Sequence, residues 1–459
     1  MAISSATESG VAPSWVRTYA RDHTIHLLVV LFMIVYPGLY HFIGSAEGTT
    51  VGKLLFPSMA TMLELLTVAL FAMSFDFISG YTGYLSFGHS LFFGTGVFLV
   101  LGVYAGSFEG IPVIGWIPAS IPFMILLLVA GVVSIILAVL VGAVSFRLTG
   151  VYFAMLTLGF AELAKFTAEG FFGTEGLTLP ILDSPPAIGV PYIDALTLPV
   201  GPFALRNSPV MLGNVPLLGL LLDVLNAIPL LGAYIVPNPS ISGEVLSFYL
   251  VGLVVLLSYL TMQRFIHSPF GRVMVAIREN EERAKAIGYN TFRYKMGAFG
   301  ISAFFGGVAG ALFAVTQQQG DPARDFGVIA RAGEALVATL IGGIGTIAGP
   351  FYGYLFDFNL RELVGAKGSN GIKEFLADNL AWLLNTSLPG TTVEEIVDIW
   401  IVGHPSLYIG IVFIVFILFI PGGLLGTLRL AIGGNLSKAF PAWVGRRVEG
   451  IRSAINERQ

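Results

Sequence analysis

The sequence predicts an all-α integral membrane protein of about ten transmembrane helices, and three observations carry that prediction. Apolar residues fill 55% of the 459 positions and charged residues only 11%, with a mean hydropathy of +0.82. A soluble domain wets its surface with about 25% charged residues, so a chain this poor in charge needs lipid as its solvent. The apolar residues also fall in runs long enough to cross a hydrocarbon core, punctuated by glycine, proline and charge. The 56 glycines and 36 phenylalanines suit closely packed membrane helices.

A helix needs about 20 apolar residues to cross that core. In chain order the candidate spans are 25–43, 57–78, 91–106, 121–141, 151–167, 245–262, 296–316, 329–344, 350–363 and 407–420. The first follows a polar segment, 1–24, that carries Arg17, Arg21 and Asp22. It is longer than a usual signal-peptide core, which favours a retained helix over a leader cleaved near Ala46. Several spans are short and border glycine clusters, so broken or re-entrant helices are expected among them. The chain thus divides into an N-terminal segment (1–24), a membrane domain (25–426) and a tail (427–459).

Basic residues orient the spans, because Lys and Arg in short loops stay on the cytoplasmic side. The segment 264–295 holds Arg264, Arg272, Arg278, Arg283, Lys285, Arg293 and Lys295. The tail holds Arg429, Lys438, Arg446, Arg447, Arg452 and Arg458, and Arg17, Arg21 and Arg147 bring the set to 16 of the 24 basic residues. With ten spans all of these fall on one side, so both termini are expected in the cytoplasm of a cell membrane. The long segments 168–244 and 364–404 then lie outside. The first is proline-rich and the second carries mostly acidic charge. Loops of such length are usually functional or partly ordered, and short helices are expected in them, for example over 376–384.

Three motifs stand out between the spans. Gly80-Tyr-Thr-Gly83-Tyr-Leu-Ser86-Phe-Gly88-His89 packs several glycines between two apolar runs. Each glycine costs a helix interior about 1 kcal/mol relative to alanine, so the cluster marks a break or a very close contact. Unwound backbone at membrane depth survives only where protein or a wet cavity satisfies it, and such breaks form solute sites in transporters. A plain tight turn is the alternative, and His89 is at least as suited to hydrogen-bonded packing as to touching a solute. The second run, Gly342-Gly343-Ile-Gly345-Thr346-Ile-Ala-Gly349-Pro350, nominally fits a dinucleotide fingerprint but lacks the strand–helix context that fingerprint requires. Paired interruptions in the two halves point instead to an inverted repeat around a central pathway. The third motif opens at Ser268-Pro269-Phe270-Gly271-Arg272, an N-cap followed by proline. A charged helix of about 18 residues is expected to run on to a left-handed cap at Gly288. Its stripe Val273, Ile277, Ala284 and Ile287 suits a groove on another protein, the alternative being a solvated interfacial helix.

Isolated charges inside spans are Glu64, Asp76, Glu162, Lys165, Arg331, Glu334 and Asp357. They are costly in lipid and face the bundle interior. The i, i+3 spacing of Glu162 with Lys165 and of Arg331 with Glu334 favours local ion pairs over a proton relay. Catalytic readings are poor. No cysteine is present, which removes disulfides and thiolate chemistry. The six histidines show no metal spacing, there is no Walker phosphate loop or G-x-S-x-G elbow, and no basic face suggests nucleic acid. No cofactor and no metal are expected.

With those residues in view, the chain resembles the LivM-type permeases of branched-chain amino acid ABC importers from about residue 63 to 426. The landmarks are 80–96 (GYTGYLSFGHSLFFGTG), 147–162 (RLTGVYFAMLTLGFAE), 268–288 (SPFGRVMVAIRENEERAKAIG), 342–350 (GGIGTIAGP) and 419–426 (FIPGGLLG). The third resembles the coupling loop of importer permeases, with Glu282, Ala284 and Gly288 at its E-x-A-x-x-x-G positions. The resemblance implies no enzymatic activity in this chain but docking of Ser268, Pro269, Gly271, Arg272, Glu282, Ala284 and Gly288 on an ATP-hydrolysing subunit. It implies partners in the bilayer and beyond: a second, LivH-type permease, two cytoplasmic ATP-binding subunits and an extracytoplasmic solute-binding protein. Ser86, Gly88, His89, Gly343, Gly345 and Thr346 are then the candidates for the translocation path. The segments 183–243 and 364–404 depart from the family pattern as insertions, and 172–177 (FGTEGL) matches its loop only loosely. Related permeases carry urea, short amides or other amino acids. An ion-coupled carrier is the rival class, needing Glu64, Asp76 or Asp357 in its pathway but having no use for the 268–288 helix. A respiratory-complex membrane subunit would want mid-helix lysines in series, which Lys165 alone does not supply.

Overall fold

The computed structural model describes residues 58–109, 114–118, 121–178, 243–364 and 405–432 except 421, with short pieces at 31–32, 35–37, 210–211, 240–241, 376–377, 387–388, 391–393 and 397. The N-terminal segment 1–24, most of the first expected span, most of both long segments and the tail beyond 432 lie outside the described residues.

Helix α1 (Met59–Thr82) begins where the Ser58 hydroxyl accepts from the Thr61 amide and ends where Gly83 turns left-handed. A 3-10 turn, Phe87–His89, leads into α2 (Ser90–Tyr104). Pro122 precedes α3 (Phe123–Ser145), and α4 (Val151–Phe172) follows a short loop. Strand β1 (Leu177–Thr178) comes next, then β2 (Val210–Met211) and β3 (Ser240–Ile241), which pair with each other. Helix α5 (Gly243–His267) leads into two short helices, α6 (Pro269–Glu279) and α7 (Glu281–Ala286), and then α8 (Thr291–Gln317). Strand β4 (Gln319–Gly320) pairs antiparallel with β1. After α9 (Pro322–Asp325) and a π-turn over Val328–Ala332 come α10 (Gly333–Gly342) and α11 (Gly349–Val364). Strands β5 (Ser387–Leu388) and β6 (Thr391–Thr392) form a small hairpin before α12 (Pro405–Phe419) and α13 (Gly423–Ile432).

Among the described residues seven helical stretches are long and apolar enough to cross a bilayer: α1, α2 with its 3-10 turn, α3, α4, α5, α8, and 409–427. Of the ten expected spans, 25–43 lies mostly outside the described residues, and two others fall short for a physical reason. The segments expected to span as 329–344 and 350–363 become α10 and α11, about 15 and 24 Å long, short of a core about 30 Å thick. They form a helical pair packed on α1. Helix α4 runs on to Phe172, five residues beyond the expected span end at 167.

Helix α8 is the axis of the bundle, enclosed by α1, α2 and α3. Glycine, a poor helix former, recurs along it with alanine, and these small residues let neighbours approach. A Cβ at Gly307 would strike the Ser134 hydroxyl and the Ala130 carbonyl of α3, and one at Gly310 would strike the Phe93 backbone of α2. Phenylalanines fill the remaining space, with Phe71, Phe92, Phe93, Phe153, Phe299 and Phe313 fully enclosed. Tyr36 reaches the same core and stacks on Phe248 at 5.6 Å between ring centroids.

Candidate functional site

The charged segment between α5 and α8 begins as its sequence suggests. Ser268 accepts from the Gly271 amide at 3.4 Å, with Pro269 at the first helical position. Gly271 has no room for a side chain, since a Cβ there would meet the Ile266 carbonyl. The helix does not run unbroken to Gly288. Asn280 turns extended (φ −164°, ψ 103°) and its side chain accepts from the Arg283 amide at 2.8 Å, starting α7 anew. Gly288, at φ +96°, closes the segment in open space.

The apolar stripe is also placed differently from the expectation of a groove on another protein. Val273, Ile277 and Ala284 are buried and pack on Tyr84 and Tyr294 of this same chain. The break at Asn280 rotates α7 so that these three share one inward patch. Ile287 stays out, 67% exposed, beside the exposed Glu282, Arg283 and Gly288, with Arg272 exposed on α6.

A polar cluster ties the segment to the first glycine run. Glu281 accepts from the Tyr84 hydroxyl at 2.6 Å, from Lys295 Nζ at 2.9 Å and from the Thr291 hydroxyl at 3.0 Å. Lys295 also lies over the Tyr84 ring, 4.6 Å from its centroid. Burial pushes the Glu281 carboxyl up, but the Tyr84 and Lys295 hydrogen bonds, the Lys295 charge and Thr291 outweigh it and hold the group at about 2. Burial and the facing carboxylate push the Tyr84 phenol up, so it remains a donor.

The two glycine runs meet at this place. Arg278 donates to the Gly80 carbonyl at 2.6 Å, and the Gly345 amide donates to Asp76 Oδ1 at 2.9 Å. Gly80 and Gly345 touch so closely that a Cβ on Gly80 would strike both Asp76 and the Gly345 nitrogen. Gly345 itself is left-handed (φ +76°) and has Arg278 Nη1 within reach of its missing side chain. Thr346 donates to the Gly343 carbonyl at 2.6 Å and holds the second run as a tight turn, with Gly343 against Gly423 of α13.

Ser86, Gly88 and His89 sit elsewhere, inside the bundle. His89 is fully enclosed, its Nε2 3.0 Å from the Ser74 hydroxyl and its ring among Phe71, Phe75 and Phe92. Gly88 donates to the Thr157 hydroxyl at 3.3 Å, and a side chain there would overlap the Thr157 backbone. Among the described residues, buried Ser86 Oγ and His89 Nδ1 have no hydrogen-bond partner. The structure therefore joins Gly345 to the charged segment and keeps Ser86, Gly88 and His89 apart in the core.

Apart from Asp76, which accepts from the Gly345 amide, the isolated charges are neutralised by ion pairs. Glu162 pairs with Lys165, and Arg331 with Glu334 at 3.2 Å, as their spacing suggests. Asp357 pairs with Arg361 at 2.7 Å, an i, i+4 spacing on α11, and the contacts that spacing does not reveal are Glu64–Arg324 at 2.9 Å and Asp325–Arg331 at 3.0 Å. Sequence reasoning also missed Tyr84, Glu281, Thr291 and Lys295 as a set. One signal was available, since Lys295 stands at the very edge of an apolar run and needs an inward partner. No cluster of metal-ligating side chains occurs among the described residues.

The family model described as branched-chain amino acid transport system, permease component, matches residues 59–377, from the first residue of α1 past the end of α11. The high-affinity branched-chain amino acid transport system permease protein LivM of Salmonella typhimurium is 28% identical over 276 residues. Its Escherichia coli counterpart is 27% identical over 276 residues, and each alignment covers 59% of this chain and 54% of the relative. A probable branched-chain amino acid transport permease protein LivM of Methanocaldococcus jannaschii is 33% identical over 91 residues, 18% of this chain and 26% of that protein. The alignments with the two bacterial proteins span about half the length of those relatives. No solved structure matches the chain.

Proposed function

Because the chain belongs to the permease-component family of branched-chain amino acid transport systems, we propose that it is the membrane-spanning permease subunit of an ATP-driven importer with a branched-chain amino acid as cargo. In this reading it hydrolyses nothing itself. It works with a second, LivH-type permease, two cytoplasmic ATP-binding subunits and an extracytoplasmic solute-binding protein. Both termini and the α6–α7 segment face the cytoplasm.

The observation that supports the reading is the direct bonding of a wet, charged helix pair to the first glycine run, which Asp76 of α1 ties in turn to the second. The ATP-binding subunit grips the exposed side of α6 and α7, where Arg272, Glu282, Ile287 and Gly288 are presented. Ser268 and the exposed Pro269 start the segment, and buried Gly271 and Ala284 shape it from within. A displacement of α7 pulls on Tyr84 through Glu281, and one of α6 pulls on Gly80 through Arg278. The α1–α2 junction and the α10–α11 turn then move together, because Asp76 holds Gly345. Ser86, Gly88 and His89 line the path when the bundle opens, and Gly343, Gly345 and Thr346 form its cytoplasmic end.

The test is uptake of labelled leucine by cells carrying the intact system, with Gly288→Trp and Gly288→Ala variants. Both strain a left-handed position by roughly 1–2 kcal/mol, but only Trp places bulk on the gripped surface. Uptake is expected to collapse in Gly288→Trp, to persist in part in Gly288→Ala, and membrane insertion to survive in both. Uptake in the Trp variant equal to that of the parent, or uptake that persists after ATP depletion while an ion gradient stands, overturns the reading.

A further inference from the structure

At the end of the bundle opposite α6 and α7, a cavity of about 250 Å³ opens between the start of β1 and the α8–α9 connection. That is below the roughly 300–1,000 Å³ of drug-sized ligand sites, the scale of one small solute. Its walls carry charges of both signs: Glu175, Asp321, Asp325 and Arg324, beside Gln319 and the Phe313 ring.

These charges are not equivalent. Asp325 is committed to Arg331 at 3.0 Å, and Asp321 caps α9 through the Ala323 amide at 2.8 Å. Arg324 gives one guanidinium nitrogen to Glu64 at 2.9 Å, lies 5.3 Å from the Phe313 ring centroid and keeps its side chain 40% exposed. Among the described residues no ion pair engages Glu175. Its backbone is nonetheless pinned. Gly176, left-handed at φ +76°, sits so close to the Gly320 carbonyl that any Cβ there would strike it, and Leu177 pairs with Gly320 in the adjoining strands. A carboxylate on a pinned backbone, unmatched among the described residues, and a half-committed guanidinium therefore line one small cavity.

We propose that this cavity is an entry site for the head group of a small zwitterion, with Arg324 receiving the carboxylate and Glu175 the ammonium of an α-amino acid. The site rests on the permease reading above, which places it at the outer mouth of the path. A guanidinium fork suits a carboxylate geometrically. A neutral amide or urea would leave both charges unmatched, and unmatched polar groups are what give a site its discrimination.

The experiment is equilibrium binding of labelled leucine to the purified full chain in lipid nanodiscs, with isocaproate, isoamylamine and urea as competitors. Isocaproate lacks the amine and isoamylamine lacks the carboxylate. Glu175→Gln is expected to weaken leucine and isoamylamine by at least about ten-fold and leave isocaproate unchanged. Arg324→Gln is expected to give the converse pattern. Glu175 is exposed, so its variant tests the site even if the Arg324 variant fails to fold once Glu64 loses its partner. Leucine binding unchanged in Glu175→Gln, urea competing as well as isocaproate, or no leucine binding by the parent chain overturns the site. Leucine uptake by cells carrying the intact system separates the two failures. Uptake unaltered by Glu175→Gln sinks the cavity alone, whereas leucine bound in the nanodisc with no uptake sinks the permease reading alone.

Discussion

Arg278 and Glu281 lie three positions apart, one on each side of the Asn280 break, and each holds a different part of the first glycine run. A hydrogen bond from a charged donor contributes about 1.5–3 kcal/mol, so Arg278→Met should loosen Gly80 without unfolding the bundle. Leucine uptake is expected to fall at least about ten-fold while the variant keeps the parent's elution profile in detergent; undiminished uptake would remove Arg278 from the transmission. Glu281 gives a test by pH. Its folded carboxyl stands at about 2, below the ordinary 4.5. A depressed value means that the stabilisation is complete above 4.5 and disappears as pH falls from there towards 2. The unfolding temperature of the parent should therefore drop more steeply across that window than that of Glu281→Gln. Parallel curves would mean that the carboxylate contributes nothing as a charge.

At the scale of the elements, the membrane helices were the part most open to sequence reasoning. An apolar run bounded by Pro122 or Gly150 has few alternatives in lipid, and α3 and α4 begin within two residues of their expected starts. The Ser268–Pro269 start of α6 was legible for the same local reason, a cap whose geometry is written in adjacent residues. The Asn280 break was not. Asparagine fits both a wet helix face and an N-cap, and only the burial of Val273, Ile277 and Ala284 against Tyr84 and Tyr294 decides between them. The meeting of Asp76 with Gly345, 269 positions apart, lies beyond any local pattern. The break makes its own prediction. Asn280→Ala removes the acceptor of the Arg283 amide, costing about 1 kcal/mol, and Asn280→Asp retains it. Hydrogen exchange at Arg283 should accelerate several-fold in the Ala variant and stay near the parent rate in the Asp variant. Equal protection in all three would mean that α7 does not depend on its cap.

For the whole molecule the decisive quantity is sidedness, because a motor can grip α7 only from the compartment that holds ATP. The bundle sets Glu175 and Glu282 at opposite ends. Helix α8 leaves the Glu281–Lys295 cluster and arrives at Gln317, next to the strand pair that pins Glu175. Its 27 residues span about 40 Å, more than the roughly 30 Å hydrocarbon core. The absence of cysteine from the sequence makes the arrangement directly measurable, since any thiol introduced is the only one. Glu175→Cys and Glu282→Cys both replace exposed side chains. With a membrane-impermeant maleimide on intact cells, Glu175→Cys should label and Glu282→Cys should label only after the membrane is opened. Labelling of Glu282→Cys from outside would put the α6–α7 surface beyond the reach of any cytoplasmic ATPase. The bonds of Arg278 and Glu281 to the first glycine run would then have to be explained as packing, because nothing could drive them.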